Sequence, residues 1–153
     1  MDYIKWIRSK VGHDKIILNY AAGIIRNDQG QILMQQRGDS HLWGIIGGAM
    51  ELSENPEDTL RREILEETGL RQISIEKFQG VYITPELRYP NGDLAQCIDL
   101  VYQVYTTEQV DLNFKNEETL ALKWIDEPNI PPLFNQNQMV ILTDYFQQKK
   151  RKS

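Results

Sequence analysis

The chain has 153 residues, a length for one domain over residues 1–153 and enough to bury a core without disulfide or metal staples. Its net charge of −5 argues against a broad basic face for duplex nucleic acid, and 41% hydrophobic with 25% charged residues is the balance of a globular protein. A single cysteine, Cys97, excludes an intrachain disulfide, no apolar run approaches the ~18 residues of a membrane helix, and the first residues lack the layout of a signal peptide, so a cytoplasmic location is expected.

Ile4, Ile7 and Val11 recur at helical spacing beside Trp6, which predicts a short amphipathic helix over 3–11. Residues 16–25 and 31–36 read as strands joined by the turn Asn27-Asp28-Gln29-Gly30, a hairpin pattern. Glycines punctuate 37–53, which reads as loop with short extended pieces. The next helix is written at both ends. Asn55 is an N-cap, Pro56 suits the first helical position, Asp58 can complete a capping box, and Gly69 supplies the stop. Residues 73–83 are extended, the turn Pro90-Asn91-Gly92-Asp93 follows, and 95–106 and 120–125 read as further strands. Cys97 falls in the apolar run 94–105 and reads as a buried, inert thiol. Residues 127–132 read as loop, and a closing amphipathic helix is expected over 139–148. The run Lys149, Lys150, Arg151 and Lys152 reads as a solvated basic tail. Strands interspersed with helices predict an α/β fold, a mixed β-sheet sandwiched between helices.

Chemistry concentrates on the capped helix. Glu63, Glu66 and Glu67 span an arc of roughly 100° beside the apolar stripe of Leu60 and Ile64. Like charges at such spacing destabilise a helix by ~0.2–0.5 kcal/mol per pair, with Arg62 as the nearest cationic relief. A hard divalent cation, Mg²⁺ or Mn²⁺, would resolve the conflict, since such ions take carboxylates together with waters and substrate phosphates. Glutamate-rich helices are common as solvated faces, so the three acids do not decide the matter alone. The loop ahead of them adds weight. In Gly47-Gly48-Ala49-Met50-Glu51, paired glycines let the backbone approach a ligand closely.

Residues 48–70 resemble the signature of the Nudix hydrolases: Gly, five residues, Glu, seven residues, then Arg-Glu-apolar-any-Glu-Glu-any-Gly-apolar. The chain carries Gly48, Glu54, Arg62, Glu63, Ile64, Glu66, Glu67, Gly69 and Leu70 at those places. Seven fixed identities coincide by chance on the order of 10⁻⁸ per starting position. Two nearby departures, Ile46 where Pro is frequent and Ser53 where Gly is, concern loop shape. The resemblance implies the Nudix fold and these roles. Glu66 and Glu67 are the main metal ligands, Glu63 is a ligand or the general base, and the Gly48 carbonyl completes the metal shell. Arg62 orients the glutamates, and Glu54 ties loop to helix. Glu51 is an extra candidate ligand. Glu118, or else Glu117, is the distal acid ahead of the strand bearing Trp124. Arg37 and Gly47 are expected at the substrate phosphates.

The implied reaction is metal-dependent hydrolysis of a phosphoanhydride in a nucleoside diphosphate linked to another moiety, of ADP-ribose or nucleotide-sugar type. Pro85, fifteen residues after the signature, carries that lean. The alternatives are a (deoxy)nucleoside triphosphate pyrophosphohydrolase and a non-catalytic nucleotide sensor. Isoprenoid diphosphate isomerisation is disfavoured by a count of one Cys and two His. Trp43, Tyr82 and Tyr89 are candidates to stack a base, while His13 and His41 read as surface residues. The expected partners are a small nucleotide and a second copy of the chain, the latter through the segment around Trp6, with neither duplex nucleic acid nor membrane.

Overall fold

The computed structural model describes residues 2–151. In chain order the elements are α1 (Tyr3–Val11), β1 (Ile16–Arg26), β2 (Ile32–Arg37), β3 (Trp43–Gly44), β4 (Ile46–Ala49), α2 (Pro56–Thr68), β5 (Ser74–Arg88), β6 (Leu94–Tyr105), β7 (Thr119–Ile125) and α3 (Gln136–Arg151). A 3₁₀ turn, Glu127–Asn129, precedes α3.

The seven strands form one mixed sheet in the order β3-β2-β1-β6-β5, with β4 added on β1 and β7 on β2. Adjacent residues send their side chains to opposite faces of a strand. Ile24 and Ile25 on β1, and Leu33 and Met34 on β2, are all buried, so both faces of the sheet are covered. Ile25 and Leu33 pack with Leu60 and Ile64 of α2, while Ile24 and Met34 pack with Ile141 and Leu142 of α3. The expected sandwich is therefore present. A third, smaller cluster of Leu18, Ala95 and Cys97 lies under α1. Cys97 is buried and free, and burial pushes its thiol up, in keeping with an inert role.

Several elements differ from the sequence reading. The 16–25/31–36 pair is antiparallel, but its register includes only Arg26↔Ile32. The two strands then diverge, and β4 takes the edge of β1 from Tyr20↔Ala49 to Gly23↔Ile46. The longest partner of β1 is β6, parallel from Ile16↔Ala95 to Arg26↔Tyr105. Helix α3 begins at Gln136 and runs to Arg151, so Lys149, Lys150 and Arg151 form its last turn and not a tail. Cations suit that position because the helix dipole is negative there. Lys149 lies over the Tyr145 ring and Lys150 pairs with Glu127. Lys152 falls outside the described residues.

Helix α2 forms as its termini predict. The Asn55 side chain accepts from the Asp58 N–H, Asp58 accepts from the Asn55 N–H, and Gly69 stops the helix in the left-handed conformation at φ 78°. A Cβ on Gly69 would meet nothing closer than 3.5 Å, so only its φ opposes substitution. Gly69→Ala is expected to lower stability by about 1–2 kcal/mol, measured by denaturant melts.

Candidate active site

One cleft of about 910 Å³ has the segment 47–54 and α2 in its wall. Helix α2 sets its Glu63 and Glu67 on the edge of the buried face, at 7% and 4% exposure. Glu118 reaches them from the segment before β7, and one carboxylate oxygen from each of the three lies within 4.8 Å of the others. Three tertiary bonds bring Glu118 across about fifty residues of sequence. The Asn116 amide donates to the Glu66 carbonyl at 2.9 Å, the Thr119 hydroxyl donates to the Glu67 carbonyl at 3.0 Å, and the Gly38 N–H donates to the Glu118 carbonyl at 3.0 Å. Gly38 must lack a side chain there, because a Cβ would sit 2.1 Å from the Glu117 carbonyl oxygen.

Arg62 organises the acids from one side. Its guanidinium donates to Glu54 at 2.7 Å and 3.0 Å, to Glu63 at 2.8 Å, to Glu66 at 3.3 Å and to the Ala49 carbonyl at 3.0 Å. Glu54 also accepts from the Thr59 hydroxyl and the Glu51 N–H, so it does tie the loop to the helix. Gly48 lies flat against the Glu63 carboxylate: a Cβ would come within 2.2 Å of its Cδ.

The electrostatics divide into two parts. Arg62 holds the Glu54 carboxyl down at about 2. Burial pushes Glu63 and Glu67 above the usual carboxylate range, and for Glu67 the charges of Glu63 and Glu118 add to the shift. Moreover, Glu67 Oε2 is buried without a hydrogen-bond partner among the described residues. An orphaned carboxylate oxygen among two further acids is costly unless a cation completes it. Oxygen donors of this kind fit a hard divalent ion of the Mg²⁺ or Mn²⁺ type.

The Glu54 shift has a consequence for acid stability. A depressed folded pKa stabilises the protein fully above the unfolded value, here 4.5, and that contribution is lost as pH falls from 4.5 through about 2. Glu54→Gln is therefore expected to flatten the acid limb of the stability curve between those values, read by circular dichroism. The raised acids act above 4.5 instead and do not obscure it.

Residues 18–145 match the family model of the NUDIX domain. The chain belongs to the Nudix hydrolase family. Against curated proteins, this Nudix chain is 39% identical over 61 residues to a "MutT-like protein" of Streptomyces ambofaciens, covering 40% of the chain and 39% of that protein. It is 30% identical over 122 residues to a "Putative 8-oxo-dGTP diphosphatase" of Bacillus subtilis (strain 168), covering 80% of the chain and 75% of that protein. Among solved structures, the MutT NUDIX hydrolase from Burkholderia pseudomallei superposes with a TM-score of 0.67 over 84% of this chain and 97% of that one. At 22% identity that likeness is one of fold.

The Nudix site brings together most of the residues singled out from sequence. Glu63, Glu67, Glu118, Arg62, Gly47, Gly48 and Arg37 all line the cleft. Glu66 lines it too, but its half-exposed carboxylate pairs with Arg62 and stands outside the three-acid cluster. Glu117 lines the cleft without joining the cluster. Arg37 stacks on the Phe134 ring at 4.2 Å and is held by Asp39 at 2.9 Å, which fixes its guanidinium at the rim. Glu51 lines the cleft outside the three-acid cluster, and both its oxygens accept from the Tyr3 N–H, at 3.2 Å and 3.0 Å.

Of the stacking candidates only Tyr89 lines the cleft. Trp43 packs against the α3-side core, and Tyr82 donates its hydroxyl to Asp144. Pro85 lies exposed in β5, within a register shift between Thr84 and Leu87. His13 pairs with Asp93 and His41 is exposed, and neither lines the cleft. Sequence reasoning missed Asn116, Thr119 and Tyr20. The first two are ordinary turn and strand residues, and no local pattern marks them.

Proposed function

We propose that this chain hydrolyses a phosphoanhydride bond of a nucleotide, with Mg²⁺ or Mn²⁺ as its ion. The observation that carries the reading is the orphaned Glu67 oxygen inside the Glu63–Glu67–Glu118 cluster. Glu63 and Glu67 hold the ion, with the Gly48 carbonyl and Glu66 as further donors. When bound, such an ion neutralises phosphate charge and acidifies a water. Glu118 is the most exposed of the three acids, so it takes the proton of the attacking water, with Glu63 as the second candidate. Arg62 keeps Glu63 and Glu66 oriented. Arg37 clamps the phosphates at the rim, and Gly47, whose Cβ would lie 2.6 Å from the Ala21 carbonyl oxygen, offers its backbone to the same end of the cleft.

Two nucleotide classes remain. A (deoxy)nucleoside triphosphate is favoured by the name of the Bacillus relative, which covers most of both chains. A nucleoside diphosphate linked to a sugar is favoured by the cleft itself. Its volume of about 910 Å³ is near the upper end of small-ligand pockets, and Asn91 and Asp93 add polar groups beyond Tyr89. Pro85 no longer weighs, since it lines no part of the cleft. A panel of (d)NTPs, ADP-ribose, nucleotide sugars and dinucleoside polyphosphates, with products read by phosphorus NMR, decides between them. If no member is cleaved with Mg²⁺ or Mn²⁺ while one binds, the enzyme reading falls and the sensor reading replaces it.

Cytoplasmic residence belongs to the same proposal. Among the described residues no helix is long and apolar enough to cross a membrane. Self-association through α1 is also proposed, on the 40% exposure of Trp6.

A further inference from the structure

Helix α1 lies ahead of residues 18–145 that match the family model, yet it forms part of the cleft wall through Asp2, Ile4 and Arg8. A nine-residue helix has little stability of its own, and none of its residues is fully buried. It is instead fastened at both ends. At its N-terminus the Glu51 carboxylate accepts the otherwise unpaired Tyr3 N–H, where the helix dipole also favours negative charge. At its C-terminus Arg8 donates to the carbonyls of Gly12, Asp14 and Leu94, at 3.0, 2.7 and 2.6 Å, and pairs with Asp93 at 3.5 Å. The strap thus runs from Glu51, in the loop before α2, to the β5–β6 turn.

Beneath the strap the character of the cleft changes. Ile4 packs in one cluster with Leu18, Tyr20 and Tyr89, all of which line the same cleft as the three acids. Tyr20 and Tyr89 meet through their hydroxyls at 3.2 Å, which holds their rings in place. An apolar and aromatic end joined to an anionic, arginine-rimmed end is what a nucleotide requires: a base to pack, and phosphates bound through a cation.

We propose that α1 is the nucleobase wall of this cleft, with Ile4 and Tyr89 as specificity-determining residues. Glu51 is a positioning residue that anchors the wall and does not ligate the metal. The proposal rests on the nucleotide reading given above. Its chemical consequence is that base preference and phosphate chemistry are set by separate parts of the chain. Residues 3–11 and Tyr89 read the base, while α2 serves the phosphates.

Steady-state kinetics on the full chain test it, with ATP, GTP, CTP and UTP as probes and Mg²⁺ titrated. Ile4→Ala is expected to raise KM for the preferred nucleotide about tenfold, to leave kcat within about twofold, and to change the purine-to-pyrimidine ratio of kcat/KM. Glu51→Ala is expected to raise KM likewise without moving the Mg²⁺ half-saturation, and Glu51→Gln, which keeps an acceptor for Tyr3, to restore at least half of the loss. Unchanged KM and base preference in a folded Ile4→Ala protein overturn the wall. A shift in Mg²⁺ half-saturation in both Glu51 variants makes Glu51 a ligand and overturns the anchor. If Ile4→Ala melts below the assay temperature, Ile4→Met keeps the bulk and still has to alter base preference. Should the wild-type chain cleave none of the four nucleotides, calorimetric titration of each gives the same reading without turnover. A tenfold weaker Kd in Ile4→Ala sustains the wall although hydrolysis has failed, and an unaltered Kd, or no binding by the wild type, overturns it.

Discussion

Glu67→Gln is expected to lower kcat with Mg²⁺ roughly a hundredfold or more while leaving the fold intact, because it removes a carboxylate charge that the proposed cation would pair with. The side chain is 4% exposed, and Oε2 has no hydrogen-bond partner among the described residues. Ionised, it stands among Glu63 and Glu118 with oxygens inside 4.8 Å, an arrangement that opposes folding in the absence of metal. The amide is nearly the same size, carries no charge, and can donate to a neighbouring carboxylate. The metal-free variant should therefore melt no lower than the wild type. Added Mg²⁺ should raise the wild-type melting temperature, since an ion that binds only the folded state stabilises it, and should fail to raise that of the variant. A variant with near-normal kcat, or one whose melt still responds to Mg²⁺ as the wild type does, would falsify the metal assignment.

Gly48→Ala is the second large effect, and its origin is steric. Gly48 is not among the residues of positive φ, so alanine is compatible with the backbone itself. The added Cβ, however, would lie 2.2 Å from Glu63 Cδ and 2.3 Å from its Oε1. Glu63 cannot simply swing away, because the same oxygen is held by Arg62 at 2.8 Å and the side chain is buried. Either the carboxylate leaves the cluster or the β4 backbone shifts from β1. The expected outcome is a loss in kcat of about a hundredfold, a weaker Mg²⁺ half-saturation, and destabilisation of about 1–3 kcal/mol. Gly69→Ala is the control, since it strains the end of the same helix without touching the acids. Equal Mg²⁺ dependence in the two glycine variants would show that Gly48 matters only for folding.

Helix α2 was legible because everything that forms it is local. Its caps lie within four residues of the backbone groups they satisfy, and its apolar stripe follows a period that any i, i+4 pair displays. The spacing of Glu63 and Glu67 on one face follows from the same period. By contrast, the parallel pairing of β1 with β6 joins residues about eighty apart, and no pattern in either strand names the other. Residues 149–151 looked like a tail because they are charged, whereas α3 carries its hydrogen-bond ladder through them once Ile141, Leu142 and Tyr145 are packed.

Within the site the same division holds. The sequence by itself determined the signature over 48–70: which helix bears the acids, and where that helix starts and stops. Only the tertiary structure decided which acids meet. Glu118 joins Glu63 and Glu67 because Asn116 and Thr119 bond the backbone at the end of α2, and Glu66 is diverted to Arg62. Tertiary structure also turned Glu51 toward the start of α1 and gathered Ile4, Tyr20 and Tyr89 into one wall. The physical reason is distance along the chain. Caps and periods act over a few residues and leave a mark in the sequence, while a contact across fifty or more residues depends on the packing of the whole sheet.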